Sequence, residues 1–244
     1  MSFAIAKTIL GLAIAAVLSA LLDDASAAQP RPVALELVLA IDTSSSIDGS
    51  EFELQRQGLA RAFRNPDVGR AIMECGAEGV AIAVVQWSGN RMQLTSVDWT
   101  LIRDREDAVE LAAAIESAPR LLTGFTGLGG AIRFSLRKIE ENEYDGRRMV
   151  IDISGDGTSS GLKPYLERDR AVARGATINA LAILNEEPDL ASYYADYVIG
   201  GEGAFLMSAG DFEDFAEAIR HKLLREIDCP KVALDGSGAA RAHF

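Results

Sequence analysis

Histidine and cysteine, which most often supply nucleophiles, proton relays and soft metal ligands, are scarce in this sequence. Among 244 residues there are two histidines, His221 and His243, and two cysteines, Cys75 and Cys229. His221 falls in the last predicted helix and His243 in the C-terminal tail, so neither is placed to serve a serine or cysteine nucleophile at the carboxyl ends of the strands. The composition argues against nucleophile–histidine catalysis, and we do not expect an enzyme.

Basic residues are also in the minority. Lys and Arg total 24 against 36 for Asp and Glu, which gives a formal net charge of −12. Nucleic acids and anionic membranes are bound through patches of cationic side chains. Because this chain is acidic overall, we do not expect it to bind either of them. The negative surface instead raises the local concentration of cations.

Long apolar runs are missing except near the N-terminus. Residues 8–22 carry no charge, Lys7 precedes them, and the small residues Ala25-Ser26-Ala27-Ala28 follow. This pattern predicts a cleavable signal peptide over residues 1–28. The run is shorter than the roughly 20 residues of a membrane span, although a retained anchor is the alternative. We therefore expect a periplasmic or secreted protein that is not inserted in the membrane after cleavage.

Export would place Cys75 and Cys229 in an oxidising compartment. A disulfide between them is one interpretation, and two buried free thiols are the other. Both cysteines are expected at the edge of the sheet opposite the carboxyl ends of the parallel strands, where a bridge requires Cα atoms within about 7 Å.

Apolar runs alternate with amphipathic stretches between residues 33 and 228, which is typical of βαβ units around a mainly parallel sheet. The domain is predicted to span residues 29–230, followed by a flexible tail over 231–244. Residues 92–99 fit an antiparallel edge strand, and Ser50 with Glu53 suggests a capping box. The other predicted strands are 33–41, 79–87, 148–154, 177–184 and 204–207. The predicted helices are 51–63, 105–117, 129–141, 166–174, 190–197 and one capped by Asp211 that runs to about 227.

Polar side chains cluster in three loops that follow predicted strands or precede helices. The first loop, residues 42–46, contains Asp42, Ser44 and Ser46; the second, residues 124–130, contains Thr126; the third, residues 154–157, contains Asp156. In an open parallel sheet, such loops meet at the carboxyl ends of the strands, where these folds bind their ligands. Alternate residues of an extended loop point the same way, so Asp42, Ser44 and Ser46 can face one ion.

Two carboxylates and three hydroxyls form an all-oxygen set that suits a hard cation, Mg²⁺ or alternatively Mn²⁺ or Ca²⁺. Only two full negative charges would face the ion. The cation would remain electrophilic and accept water or a carboxylate from outside.

The D-x-S-x-S run after an apolar strand, the later Thr126 and the Asp156-Gly157 pair resemble the metal-ion-dependent adhesion site (MIDAS) of von Willebrand factor type A (vWA) domains. The resemblance covers about residues 33–228. It implies a Rossmann-like three-layer α/β/α sandwich whose mostly parallel sheet has one antiparallel edge strand. The chain also resembles an exported bacterial branch of that family whose function is uncharacterised.

Carried over residue by residue, the resemblance makes Asp42, Ser44, Ser46, Thr126 and Asp156 the metal site. It implies a metal-dependent, adhesion-like module that binds a protein ligand offering an acidic side chain to the ion. The third loop reads Ser-Gly-Asp-Gly where Thr-Asp-Gly is commoner.

Other interpretations remain open from the residues alone. Asp42 could serve as the nucleophile of a metal-dependent phosphohydrolase, but that chemistry favours D-x-D-x-T and Ser44 stands where the second Asp belongs. Asp152 falls inside a predicted central strand, where a lone carboxylate is costly. It is expected to be a hydrogen-bonded structural residue or, alternatively, to support the metal ligands without binding the ion itself. Trp87, at the end of a predicted strand, and Trp99 would either pack in the core or rim or touch a partner. Glu186 and Glu187, which follow the predicted strand 177–184, would either be solvated loop charges or help to select the partner.

Overall fold

Strands and helices alternate through residues 29–229, which are the residues that the computed structural model describes. The predicted signal peptide (1–28) and C-terminal tail (231–244) lie outside them. The strands are β1 (Arg31–Val33), β2 (Leu35–Asp42), β3 (Val80–Trp87), β4 (Gln93–Ile102), β5 (Tyr144–Gly146), β6 (Met149–Gly155), β7 (Ala176–Ile183) and β8 (Leu206–Ala209). The helices are α1 (Gly49–Arg64), α2 (Pro66–Glu74), α3 (Arg105–Ser117), α4 (Leu128–Glu140), α5 (Pro164–Val172), α6 (Leu190–Tyr197) and α7 (Phe215–Glu226).

Six of the strands form one sheet in the order β4-β3-β2-β6-β7-β8. All neighbours are parallel except β3 and β4, which pair antiparallel at the edge. The predicted α/β class and its single antiparallel edge strand are confirmed. Because β2, β3, β6 and β7 run the same way, the loops that follow them meet at one edge of the sheet.

The sheet is buried on both faces, which gives three layers. Strand β2 shows why: Leu35, Leu37 and Leu39 belong to the core on one face, whereas Val38 and Ala40 belong to the core on the other. This follows from the period of two along a strand. The first core is closed by side chains of α1, α2, α3 and α7, and the second by side chains of α4, α5 and α6. None of the helices within residues 29–229 has the length and apolarity needed to cross a membrane.

The start of α1 differs from the prediction. The capping box is formed by Asp48 and Glu51, not by Ser50 and Glu53: the Asp48 carboxylate accepts from two backbone N–H groups, and Glu51 accepts from the N–H of Asp48 at 2.7 Å. Asp48 forms the cap rather than Ser50 because it comes earlier in the chain and its carboxylate can accept two hydrogen bonds at once. Glu53 instead pairs with Arg56 at 2.6 Å.

Helix α2 is missing from the sequence prediction. Asn65-Pro66 does end α1, but the Asn65 side chain also caps the next helix by accepting from the N–H of Asp67 at 2.8 Å. Pro66 then occupies the first turn, where its missing N–H costs nothing. The same preference moves the start of α5 back to Pro164.

Three other predicted boundaries shift. Asp211 caps a short turn by accepting from the N–H groups of Glu213 and Asp214, and α7 begins only at Phe215. The predicted strand over 33–41 is divided at Ala34, because Val33 belongs to β1, which pairs with β5 outside the main sheet. The last strand lies at Leu206–Ala209 rather than 204–207.

A charged cluster is buried between α7 and the sheet. The Lys222 ammonium, which is 0% exposed, lies 2.7 Å from Asp152 Oδ1 and 2.5 Å from Glu226 Oε1. Asn179 on β7 also donates to Glu226 at 3.1 Å. Asp152 is therefore paired within the core, and one ammonium faces two carboxyl groups. We call Asp152, Lys222 and Glu226 the core triad.

The core triad predicts a pH-dependent stability that Glu226→Gln should remove. Burial, followed by repulsion from Asp152, raises the pKa of Glu226 from 4.5 to about 8. The folded state then holds a proton that the unfolded state releases, so this contribution is full below pH 4.5 and is lost as the pH rises to about 8. Glutamine does not titrate. As the pH rises through that window, the free energy of unfolding of the variant should therefore increase relative to that of the wild type by on the order of 1 kcal/mol per pH unit. Urea unfolding of both proteins across the window measures this, and a constant difference would contradict it.

The two cysteines are joined. Cys75, which follows α2, forms a disulfide with Cys229, which follows α7; their Cα atoms are 5.2 Å apart and 154 positions apart in sequence. The bridge lies at the end of α7 away from the three loops. It fastens that end of the helix to α2.

Candidate metal centre

The first and third loops are joined by a chain of hydrogen bonds. Asp42 Oδ1 accepts from the N–H of Ser44 at 2.7 Å, and the hydroxyls of Ser44 and Ser46 are 3.1 Å apart. The Ser46 hydroxyl then donates to Asp156 Oδ1 at 2.9 Å. Four of the predicted site residues, which come from β2 and β6 and the loops that follow them, are thus neighbours.

Thr126, the fifth predicted residue, lies against the third loop. A Cβ on Gly157 would be 3.3 Å from the Thr126 hydroxyl, and the Thr126 carbonyl accepts from the N–H of Ser160 at 2.9 Å. The second loop also meets the first, because the N–H of Ser45 donates to the Gly124 carbonyl at 2.7 Å. All three loops therefore converge at the carboxyl edge of the sheet.

Two carboxylate oxygens in this site have no hydrogen-bond partner. They are Oδ2 of Asp42 and Oδ2 of Asp156, and both are buried. A buried oxygen without a partner costs about 1–3 kcal/mol, and more if it is charged. Burial, opposed by the hydrogen bonds from Ser44 and reinforced by the nearby Asp156 charge, raises the pKa of Asp42 to about 8. Burial likewise raises the pKa of Asp156.

The floor of the site consists of Tyr194, which the sequence alone does not identify, and Trp87, for which the sequence left packing or partner contact open. A Cβ at Gly155 would lie 2.7 Å from Asp42 Oδ2, 2.9 Å from the Tyr194 hydroxyl and 3.1 Å from the Trp87 ring. Only glycine fits there. The Tyr194 hydroxyl is buried without a partner, and burial followed by the Asp42 charge raises its pKa well above 10. Trp87 donates its indole N–H to the Ala40 carbonyl at 3.0 Å and is fully buried, so it supports the site from below.

Arg120 is another site residue that the sequence pattern misses. Its guanidinium donates to the carbonyls of Thr43 at 3.1 Å and Ser44 at 2.9 Å, which holds the first loop, and it lies 5.9 Å from the centre of the Phe52 ring. No motif marks it, because it lies between α3 and the second loop and its acceptors are backbone oxygens. Its charge offsets only part of the burial that raises the pKa of Asp42.

The rim of the site is acidic on the side of β7. Glu186 and Glu51 lie close enough for their charges to raise the pKa of Asp156, after burial, which is the larger cause. Glu187 accepts from the hydroxyl of Thr158 at 3.5 Å. Glu186 and Glu187 therefore do reach this edge of the sheet.

The donor set fits a hard cation better than other chemistry. Nowhere in residues 29–229 do three or more His, Cys, Asp or Glu side chains group so that they alone could hold a metal ion. Two carboxylates and three hydroxyls remain, and the two unpartnered oxygens could bind a cation directly or through water.

One local pattern suggests an alternative that the geometry does not support. Residues 157–161 read G-T-S-S-G and match the G-x-S-x-G pattern of hydrolase nucleophiles. Ser159 at its centre lies in a loop rather than at a strand-to-helix turn, and its hydroxyl donates to the Leu162 carbonyl at 3.4 Å. Among the described residues the one histidine, His221, lies on α7 and pairs with Glu217 at 3.3 Å.

Comparisons with known proteins agree with this architecture. A family model described as "Protein of unknown function (DUF1194)" matches residues 32–231. A search of curated proteins finds no match.

Solved structures give a likeness of fold. Proximal thread matrix protein 1 from the mussel byssus, solved with a zinc-occupied MIDAS motif, is 18% identical with a TM-score of 0.56, covering 83% of this chain and 50% of that one. The pilus adhesin SpaC from Lactobacillus rhamnosus GG is 12% identical with a TM-score of 0.60, covering 82% and 31%. The von Willebrand factor domain of the type V pili tip protein Mfa5 from Porphyromonas gingivalis is 14% identical with a TM-score of 0.57, covering 80% and 95%. This chain thus spans half of the mussel protein and about a third of the adhesin.

Proposed function

Because the chain belongs to the family described as "Protein of unknown function (DUF1194)" and has the vWA fold, we propose that it is an exported module that binds a protein partner through a divalent cation. Asp42, Ser44, Ser46, Thr126 and Asp156 hold the ion, for which Mg²⁺ is the first candidate. An acidic side chain of the partner completes its coordination.

The pair of unpartnered carboxylate oxygens is the observation that carries this proposal. Asp42 Oδ2 and Asp156 Oδ2 are buried among hydroxyls, with no donor for either. Without a cation, the site keeps two carboxyl groups out of water and raises the pKa of both. A bound divalent ion would supply the missing positive charge, and the three hydroxyls would supply neutral oxygens.

A partner carboxylate follows from the charge of this set. Two carboxylates only balance the charge of one divalent ion, and hydroxyls add no charge. Because the ligand set would carry no excess negative charge, the ion would keep its affinity for another anionic oxygen. The neighbours support the same mode of binding, since one is solved with a zinc-occupied MIDAS motif and another is a pilus adhesin. The apolar N-terminal segment with Lys7 supports export.

Asp42→Asn is expected to weaken Mg²⁺ binding by at least about 100-fold, given that even residues supporting a metal ligand cost 10–100-fold. Asparagine keeps the shape of the side chain and its bond to the Ser44 N–H but removes the charge. Isothermal titration calorimetry with Mg²⁺ and with Mn²⁺ measures the change, and circular dichroism checks the fold.

Asp48→Asn is the matched control. It removes a carboxylate from the neighbouring turn that is exposed and accepts hydrogen bonds from Ser50 and Glu51, and asparagine still caps α1. Wild-type affinity is expected. Equal Mg²⁺ binding by the Asp42→Asn protein would refute the metal site. Turnover of p-nitrophenyl phosphate by the wild type, lost in Asp42→Asn, would instead favour the phosphohydrolase.

A further inference from the structure

The second loop and the segment before it carry the most exposed large apolar side chain among residues 29–229. Phe125, next to the proposed ligand Thr126, is 80% exposed, and Leu121 is 58% exposed. Exposure alternates along residues 119–126: Pro119, Leu121, Thr123 and Phe125 are exposed while the residues between them are half-buried. Such a period of two means that one side of the segment faces the protein and the other faces solvent.

The inward side is fastened to the metal centre. Arg120 holds the first loop, Gly124 accepts from the N–H of Ser45, and the Thr126 carbonyl accepts from Ser160. The buried side chain of Gln86 adds a bond to each of two backbone groups, the carbonyl of Pro119 at 2.7 Å and the N–H of Leu121 at 2.9 Å. Phe125 is therefore exposed on a backbone held at many points, and not because its segment lacks contacts.

The glycines beside Phe125 fix its direction. A Cβ on Gly127 would lie 2.4 Å from backbone atoms of Ser88 and Gly89, and one on Gly124 would lie 2.8 Å from the Ser88 hydroxyl. The Phe125 carbonyl accepts from that same hydroxyl at 3.4 Å. Because the backbone on both sides of Phe125 is pressed against the turn that follows β3, the ring is left on the solvent side. Met92, also exposed, lies beside Gly124.

Charge distinguishes this rim from the opposite one. Across the site Glu51 and Glu186 place negative charge near Asp156, and would repel an acidic partner. Arg120 is the one charged residue within 119–126, and the exposed side chains Leu121 and Phe125 are apolar. An acidic ligand therefore meets less repulsion over this side.

We propose that Phe125, Leu121 and Met92 form an apolar rim that binds a protein segment in which an acidic residue is flanked by an apolar one. The acidic side chain reaches the cation, and its apolar neighbour covers Phe125. This rests on the proposed function, because it requires the acidic side chain to be bound through the metal. It adds the partner's chemistry: the segment pairs Asp or Glu with Leu, Ile, Met or Phe within two positions.

A library of random linear peptides displayed on phage tests this, with selection against the protein in Mg²⁺ and elution with chelator. Enriched clones should share an acidic residue with an apolar neighbour. A synthetic peptide of the enriched sequence is then titrated into wild type, Phe125→Ser and Met73→Ser. Phe125→Ser should lose on the order of tenfold in affinity, in line with the loss of an aromatic contact at an interface centre. Met73→Ser, a change at a side chain 58% exposed on α2, should lose nothing.

A double-mutant cycle makes the assignment specific. If the peptide's apolar residue covers Phe125, replacing both should cost less than the sum of the single losses. Clones with an acidic residue but no apolar neighbour, or additive losses, would overturn the apolar rim and leave the metal site standing. Clones that stay bound during the chelator elution and are released only by a later acid elution, with none released by chelator, would overturn the proposed function. Recovery of no clone by a protein that takes up Mg²⁺ in calorimetry would overturn the rim alone.

Discussion

Lys222→Met is expected to lower the free energy of unfolding by about 3–5 kcal/mol, the usual cost of removing one partner from a buried ion pair. Methionine fills most of the lysine volume, so the loss comes from charge and not from a cavity. The variant leaves Asp152 and Glu226 buried with no cation between them. Urea unfolding at neutral pH, followed by circular dichroism, measures the change.

Lys138→Met is the matched control, since it breaks a lysine–carboxylate pair of similar length at the surface. Lys138 lies 3.0 Å from Asp98, whose side chain is 80% exposed, and such pairs contribute at most about 1 kcal/mol. Adding Asp152→Asn and Glu226→Gln to Lys222→Met removes both titratable carboxyl groups, and with them the uncompensated Asp152 charge, and should restore part of the stability. If Lys222→Met lowered the free energy of unfolding no more than Lys138→Met does, the core triad would contribute no more to stability than a surface ion pair.

The position of the triad gives it a consequence for the metal centre. Asp152 lies on β6 four residues before Asp156, and Lys222 and Glu226 lie on α7. Helix α7 is thereby fixed to the strand whose end carries a proposed metal ligand. The charge cluster and the candidate site share one rigid strand, although no hydrogen bond or ion pair joins them directly.

The sequence pattern predicts the sheet because its strands are buried on both faces. Strand β2 is apolar from Leu35 to Ile41 apart from Glu36, and β3 is almost wholly apolar, so each stands out from the amphipathic helices around it. The three loops converge because parallel strands end at one edge. The positions of Asp42, Ser46 and Asp156 follow from that topology without knowledge of any contact.

The remaining site residues depend on contacts that no local pattern encodes. Arg120 acts through backbone carbonyls 76 and 77 positions away, and Tyr194 reaches Asp42 from α6. The partner of Asp152 is Lys222 on a distant helix, so the sequence indicates only that this carboxylate must be paired. The error at the start of α1 has another cause: two overlapping capping boxes fit the same stretch, and the backbone selects the earlier one.

Reduction of the Cys75–Cys229 disulfide is expected to lower the free energy of unfolding by about 2–5 kcal/mol, the range for native bridges in exported domains. The bridge closes 154 positions of chain, which restricts the unfolded state strongly, and it holds the end of α7 against α2. Unfolding midpoints with and without reductant measure the loss, and a thiol assay verifies that the bridge is open. The Cys75→Ala/Cys229→Ala protein should match the reduced wild type and show no response to reductant.

Because Glu226 and Cys229 anchor the same end of α7, the stability losses from Lys222→Met and from reduction should not be additive: once either anchor is lost, the other constrains a helix that is already loosened. Additive losses, or an unchanged midpoint in protein with two free thiols, would show that the bridge does not stabilise α7.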